Sequence, residues 1–362
     1  MIRQFISILL FLAFTFECGA QHSFSIIDKW MKENIHELGG RGVIMVWKDG
    51  NIIYSHCENK LNVRERMGIK NHARNQGKDI EAEIEDFSQS TVKPIASCSK
   101  WLSAALIMTF VQEGKLNLDD KIGKFLPLMN QHNKGDIQIK DCLSHLTGIK
   151  APSIKESISE QKGYKTMDEA IENIANMPIE GEHGKSFHYS NVGLQIVGAI
   201  LEKITGQSFE ELFQQRIAKP CGMKQTSFGS RPVASPAGGA VSSAEDYLQF
   251  LSMILNNGKY KGIQVLTRES IIAMQQNYAK DATVLYSPDE AGNWGYGFGE
   301  WVMEEGNDRA NTLSSPGLFG TFPWIENKLG YAAILFTTNL HFKGRNERNT
   351  QLKWIVDKAV SQ

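Results

Sequence analysis

The residues with the clearest chemical potential are Ser97 and Lys100, which lie three positions apart. In an ordinary protein, Ser97 would cap a helix and Lys100 would be a solvated residue of its first turn. However, a cation in the first turn opposes the helix dipole. The following segment, residues 101–111, contains only Ser103 and Thr109 as polar residues. A helix that is apolar on nearly every face lies inside a protein, so we expect the ammonium of Lys100 to be poorly hydrated.

This spacing brings the two side chains together, because residues three apart share one face of a helix. A free lysine, with a pKa of about 10.4, is a poor base near neutrality, but burial disfavours its charge and lowers that pKa. A neutral amine beside a hydroxyl activates it as a nucleophile, and the N–H at a helix start can stabilise an oxyanion. We therefore expect Ser97 to attack an ester or amide carbonyl. Ser-x-x-Lys alone is a short pattern that occurs often by chance, so further motifs are needed to support this expectation.

The sequence around this pair resembles the active-site segment of class C β-lactamase-like and penicillin-binding-protein-like serine hydrolases. The resemblance is carried by residues 94–101, Pro-Ile-Ala-Ser-Cys-Ser-Lys-Trp, and by residues 113–120, Glu-Gly-Lys-Leu-Asn-Leu-Asp-Asp. Residues 143–149, Leu-Ser-His-Leu-Thr-Gly-Ile, are similar to that family's next recurrent block. We interpret His145 there as a structural residue of a packed helix. The resemblance extends over roughly residues 40–340 and implies that family's fold.

A second motif, Tyr189-Ser190-Asn191, precedes an apolar helix. Taken alone, it fits a loop in which Asn191 caps the helix. The family resemblance implies that Tyr189 shares proton transfer with Lys100, and that Asn191 holds Lys100 and a polar group of the substrate.

A third motif departs from the family. Relatives carry Lys or His, a small residue and then Gly where this chain has Ser315-Pro316-Gly317. The resemblance implies that Ser315, Gly317 and Leu318 contact substrate, with the Leu318 N–H as a second oxyanion donor. The missing cation weakens capture of a carboxylate, and Pro316 has no N–H to donate. We therefore favour a carboxylesterase or amidase over a β-lactamase or a D-amino-acid peptidase.

Other candidate residues are weaker. His183 and His188 lie near Tyr189 and are interpreted as rim residues, with His188 left open as a substrate contact. Residues 237–246 resemble a wall of the family's site, but a helix start with Ser242 as its cap explains them fully. The sequence has no zinc motif, no Walker loop and no Gly-x-Ser-x-Gly elbow. We therefore expect no metal and no cofactor.

The amino-acid composition disfavours two classes of binding partner. Of the 362 residues 41% are hydrophobic, and 39 basic side chains nearly balance 40 acidic ones. Because the opposite charges nearly cancel, the protein has no strong net electrostatic field, and binding to nucleic acid or to an anionic membrane is disfavoured. The expected partner is a small-molecule ester, amide or lactam, and the oligomeric state stays open.

Residues 1–20 have the pattern of a signal peptide, with Arg3 before an apolar run and Cys18-Gly19-Ala20 before the cleavage point. The apolar run is too short for a membrane anchor. We expect export to the periplasm or secretion. A lipoprotein anchored through Cys18 is disfavoured, because Glu17 precedes that cysteine.

The mature chain has four cysteines, and we expect buried free thiols, since a chain of this size does not need disulfides. A disulfide framework remains the alternative. The cysteines are Cys57, Cys98, Cys142 and Cys221.

Periodicity and turn residues predict the elements that position these groups. Predicted helices cover residues 25–38, 97–114 and 191–205, a segment that begins at Ser242-Ser243 with Ser242 in capping-box spacing to Glu245, and residues 346–360. Predicted strands cover residues 43–48, 52–56, 296–303, 320–326 and 331–338, while the charged segment 59–85 is expected to be a surface excursion.

This order predicts an α+β fold of the β-lactamase/transpeptidase type. An antiparallel sheet built from both ends of the chain is flanked by helices. Residues 21–362 form one domain, with an inserted helical subdomain at roughly residues 115–256. The leading hypothesis is an exported serine hydrolase; the alternative is a catalytically inactive exported binding or regulatory protein that retains the fold.

Overall fold

A computed structural model describes residues 24–153, 156, 163–340 and 343–362. The predicted signal peptide and Cys18 lie outside these ranges. Within them, no helix is long and apolar enough to cross a membrane.

The strands, numbered in chain order, are β1 (Arg41–Lys48), β2 (Asn51–Asn59), β3 (Lys93–Pro94), β4 (Ser186–His188), β5 (Val241–Ser242), β6 (Lys259–Tyr260), β7 (Ile263–Gln264), β8 (Thr283–Tyr286), β9 (Gly295–Tyr296), β10 (Trp301–Glu304), β11 (Thr312–Ser314), β12 (Phe322–Glu326) and β13 (Tyr331–Thr337).

The α-helices are α1 (residues 24–34), α2 (Val63–Asn75), α3 (Ile80–Ile84), α4 (Ser99–Gln112), α5 (Pro127–Gln131), α6 (Ile139–Leu143), α7 (Met167–Asn176), α8 (Val192–Thr205), α9 (Phe209–Phe213), α10 (Ala244–Leu255), α11 (Arg268–Met274) and α12 (Arg345–Val360).

The main sheet joins the two ends of the chain, as predicted. Among the described residues it has seven strands in the order β2-β1-β13-β12-β11-β10-β9, and each neighbouring pair is antiparallel. The hairpin between β1 and β2 turns at Asp49 and Gly50, whose φ angles are 47° and 88°. Positive φ at both residues is the turn geometry that Asp-Gly favours.

The two faces of the sheet bury different helices, because successive strand residues point to opposite sides. Val43 and Met45 pack into the cluster that contains α4 and α10. Ile44 and Val46 pack into a second cluster with α1 and α12. Helix α4 is therefore enclosed on one side of the sheet, and its residues from Ser99 to Phe110 are buried.

Several predictions need correction. The N-cap of α10 is Ser243, which accepts a hydrogen bond from the Asp246 N–H, so the predicted cap at Ser242 is wrong by one residue. The four cysteines are free, but Cys57 lies exposed on β2, whereas we expected it to be buried. An edge strand of the sheet leaves its outer side chains open to water.

Two further segments differ from their predicted character. The excursion at residues 59–85 is helical over α2 and α3. The region of residues 115–256 contains α5 to α10 but also the short strands β4 and β5. Its division from the rest as a subdomain stays a prediction.

Candidate active site

Ser97 lies in a 3-10 turn, Ala96–Cys98, immediately before α4. Ala96 has a φ of 46°, in the left-handed region that a residue with a Cβ rarely adopts. Ser97 is half-buried, and the turn is held from behind, because the Tyr247 hydroxyl donates to the Cys98 carbonyl at 2.8 Å. The serine is thus presented at the start of a buried helix.

The Lys100 ammonium is withdrawn from water, with 1% of the residue exposed. Its Nζ lies 3.3 Å from the Ser97 Oγ, 3.0 Å from the Asn191 Oδ1 and 2.8 Å from the Ala237 carbonyl. Burial lowers the pKa of Lys100 to about 7. In the neutral amine, the two N–H bonds can donate to Asn191 and Ala237. The nitrogen lone pair is then left for the Ser97 hydroxyl.

This environment predicts a pH dependence for any reaction that needs Ser97 to be deprotonated. Because the pKa of Lys100 is about 7, the neutral amine is lost as the pH falls below that value. The rate of Ser97 labelling by a fluorophosphonate should fall about tenfold per pH unit below pH 7 and level off above pH 8. The check is a labelling-rate profile from pH 5 to 9; a flat profile would show that Lys100 does not control this serine.

Tyr189 and Asn191 approach the same pair from the turn before α8. The Tyr189 phenol hydrogen-bonds with the Ser97 side chain, and burial raises the pKa of Tyr189, so it remains protonated at neutral pH. Its ring centroid lies 4.9 Å from the Lys100 Nζ. Asn191 occupies the N-cap position, but its side chain makes no capping hydrogen bond, because its Oδ1 accepts from Lys100.

The chain after β11 closes the third side of the site. A Cβ on Gly317 would lie 2.4 Å from the Ile95 carbonyl, so only glycine allows this close approach to the segment that leads into Ser97. The next residue, Leu318, lines the cavity, and its carbonyl accepts from the Arg345 Nη1 at 2.9 Å. Backbone hydrogen bonds in the turns, loops and helix caps of the described residues include none that is donated by the Ser97 N–H or the Leu318 N–H.

The sequence predicts that Ser315 contacts substrate, but its side chain points elsewhere. It is 2% exposed, and its hydroxyl lies within hydrogen-bonding distance of the Ser97 carbonyl, at 3.2 Å, and of the Gly299 carbonyl, at 2.9 Å. It is absent from the described residues that line the cavity. Ser315 therefore anchors the backbone of Ser97, and its contact with substrate stays a prediction without support from this placement.

Ser97 opens into a cavity of about 770 Å³, a volume typical of sites for small organic ligands. Its apolar lining is aromatic and aliphatic: Tyr189, Phe228, Trp294, Trp301, Leu318 and Phe319. Polar lining residues that the sequence analysis missed include Gln76, Arg231 and Asn349. Gln76 directly follows α2, Arg231 lies in a loop and Asn349 lies in α12, and no local pattern marks these three residues.

His183 and His188, which lie near Tyr189 in the sequence, are not among the described residues that line the cavity. His183 pairs with Asp141 at 3.2 Å, and His188 pairs with Glu180. These pairings agree with a position at the rim, and a contact between His188 and substrate stays a prediction. His145 is buried at 2% exposure, with its ring centroid 4.7 Å from that of Tyr189.

A buried carboxyl lies behind the site at Glu300, which follows Gly299 in the chain. Glu300 is 0% exposed, and neither side-chain oxygen has a hydrogen-bond partner among the described residues. Burial raises the pKa of Glu300 well above its ordinary value. The folded protein therefore keeps this proton at a pH where the unfolded chain has lost it, and stability falls as the pH rises above about 4.5.

We expect Glu300→Gln to remove this loss. The free energy of unfolding of the variant relative to the native protein should increase as the pH rises above about 4.5, where the unfolded native chain has lost a proton that the folded protein retains. Urea unfolding at several pH values measures the difference. Glu304→Gln, at an exposed position of β10, is the matched control and should show no such trend. A constant difference for Glu300→Gln would show that Glu300 is ionised in the folded protein.

Comparison with known proteins gives consistent matches. The family described as Beta-lactamase matches residues 27–357. Protein Rv1367c of Mycobacterium tuberculosis is 26% identical over 302 residues, covering 68% of this chain and 75% of that protein. A Bacteroides dorei protein assigned to the beta-lactamases superposes with a TM-score of 0.76 at 25% identity, covering 94% of this chain and 99% of the other. EstCE1, described as a hydrolase with promiscuous acyltransferase activity, superposes with a TM-score of 0.71 at 19% identity, covering 95% and 100%.

Proposed function

Because this chain belongs to the beta-lactamase family, we propose that it is a serine hydrolase that cleaves a small ester or amide through an acyl-enzyme on Ser97. The observation that carries the proposal is the position of the Lys100 Nζ. It lies 3.3 Å from the Ser97 Oγ and is held by two acceptors in a site where burial lowers the pKa of Lys100 to about 7. An amine in that state is a base suited to neutral pH.

In the acylation step, the neutral Lys100 amine takes the proton of the Ser97 hydroxyl while Oγ forms a bond to the substrate carbonyl carbon. The N–H groups of Ser97 and Leu318 receive the developing oxyanion. As the bond to the leaving group breaks, the Tyr189 phenol gives its proton to the departing oxygen or nitrogen. The Lys100 ammonium then returns a proton to the phenolate.

In the deacylation step, a water molecule loses a proton to the base formed by Lys100 and Tyr189 and attacks the acyl carbon. The bond between that carbon and the Ser97 Oγ breaks, and Oγ regains a proton. The products are a carboxylic acid and the restored enzyme. An alcohol could replace water in this step, and the description of EstCE1 as a promiscuous acyltransferase supports that extension of the proposal.

The aromatic part of the cavity lining supports a substrate with an apolar acyl or aryl group. The residues that line the cavity with Ser97 include several aromatic side chains, which bind apolar groups through burial of their surface. The position that carries a cation in relatives holds Ser315, whose hydroxyl faces the backbone. Without that cation, a substrate carboxylate loses a charge-assisted hydrogen bond. We therefore propose ester or amide hydrolysis ahead of β-lactam or D-amino-acid peptide cleavage.

The test is turnover of a matched panel: p-nitrophenyl butyrate, nitrocefin and a D-alanyl-D-alanine peptide. We expect kcat/KM for the ester to exceed that for nitrocefin by about 100-fold or more. Rapid acid quenching followed by peptide mass mapping should place the butyryl group on the peptide that contains Ser97. An adduct on another residue would refute the mechanism. Absence of both turnover and adduct would favour a catalytically inactive exported binding or regulatory protein.

A further inference from the structure

His145 accepts hydrogen bonds from the two residues that flank Tyr189 in the chain. The His188 N–H donates to the His145 carbonyl at 3.0 Å, and the Ser190 N–H donates to the His145 Nδ1 at 3.4 Å. Tyr189 therefore lies between two residues that are both held by His145. The His145 ring also packs against the Tyr189 ring, with centroids 4.7 Å apart and planes at 62°.

These contacts need the neutral form of the His145 ring. Nδ1 can accept a hydrogen bond only when it carries no proton, which places the single ring proton on Nε2. Burial, together with the nearby Lys100 charge, lowers the pKa of His145 well below its ordinary value. Nε2 is buried and has no hydrogen-bond partner among the described residues. Nδ1 is therefore the ring nitrogen that forms a hydrogen bond.

The backbone at His145 also adopts an unusual conformation. Its φ is 60°, in the left-handed region that β-carbon-bearing residues rarely adopt. Such conformations persist where the surroundings over-determine them, and they cluster at functional sites. Here the strained residue is the one that supplies both acceptors, the carbonyl and Nδ1, to the segment that carries Tyr189.

We propose that His145 is the positioning residue for Tyr189, fixing the phenol where it can protonate the leaving group. The inference rests on the proposed function, in which Tyr189 is the general acid. A general acid must lie within hydrogen-bonding reach of the atom it protonates, and small misplacements are costly. Without the Nδ1 acceptor, the buried Ser190 N–H loses its partner. The backbone near Tyr189 is then held by the His188 N–H bond to the His145 carbonyl and by the Tyr189 N–H bond to the Tyr286 carbonyl, both at 3.0 Å, and the residue that follows Tyr189 is released.

The test compares two esters with the same acyl group and different leaving groups, p-nitrophenyl butyrate and ethyl butyrate. p-Nitrophenolate departs without protonation, whereas ethoxide needs a proton from the enzyme. The quantity measured is kcat/KM, because it reports acylation and is independent of the shared deacylation step. We expect Tyr189→Phe and His145→Gln each to lower kcat/KM for the ethyl ester at least about tenfold more than for the nitrophenyl ester.

His145→Asn is the matched variant, because the Asn Oδ1 can occupy the position of Nδ1, whereas the Gln Oε1 lies one bond farther out. We expect Asn to restore the ratio of the two kcat/KM values toward that of the native enzyme, while Gln does not. Equal losses on both esters, or indistinguishable Asn and Gln variants of native thermal stability, would overturn the proposal. Failure of the native enzyme to cleave either ester would instead refute the proposed function itself.

Discussion

Ser97→Ala is expected to lower kcat/KM for p-nitrophenyl butyrate by about 10⁴-fold or more and to abolish labelling by a fluorophosphonate. Oγ is the atom that becomes acylated, so its removal leaves Lys100 and Tyr189 without a nucleophile to activate. The oxyanion donors and the cavity remain, and any residual rate comes from them. Intact-protein mass spectrometry and initial-rate kinetics measure the two effects.

The control for this substitution is Ser90→Ala, which removes a hydroxyl from an exposed position in the segment that leads to Ser97. It should keep native activity and labelling. Because Ser97 is half-buried and faces the cavity, the Ser97→Ala protein should retain native thermal stability to within about 0.5 kcal/mol. Labelling that survives in Ser97→Ala would assign the nucleophile to another residue.

Lys100→Met is expected to lower kcat/KM by about 10³-fold while increasing the stability of the fold. Met retains the length and apolar character of the buried stem but supplies no base to Ser97. The stabilisation follows from the pKa of Lys100, which burial lowers from 10.5 to about 7. Between these two values the unfolded chain holds a proton that the folded protein does not, so the stability of the native protein rises with pH across that window.

The gain in unfolding free energy from Lys100→Met should therefore be largest at or below pH 7 and should shrink toward pH 10. Urea unfolding at pH 6 and pH 9 measures this change. Lys203→Met, at an exposed position of α8, should alter neither activity nor the pH dependence of stability. Native kcat/KM in the Lys100 variant would remove Lys100 from the mechanism, and a gain independent of pH would show that its ammonium stays charged in the folded protein.

The predicted family is confirmed, and so is the β-lactamase/transpeptidase-like fold. The apolar composition of α4 was sufficient to predict that Lys100 is buried, because a helix without a polar face has no side to expose. The pairing of the two chain ends followed from the order of strand patterns. Boundaries were less well predicted: the cap of α10 shifted from Ser242 to Ser243, since adjacent serines carry the same capping signal.

What the sequence by itself determined is the juxtaposition of Ser97 and Lys100, because their separation along one helical turn is set by local backbone geometry. Only the tertiary structure decided what surrounds that pair. Segments far apart in the chain are joined by the hydrogen bond from Lys100 to the Ala237 carbonyl, by that from the Ser315 hydroxyl to the Ser97 carbonyl and by the contact of the His145 ring with the Tyr189 ring. Such contacts depend on how whole elements pack, and no local spacing or periodicity encodes them.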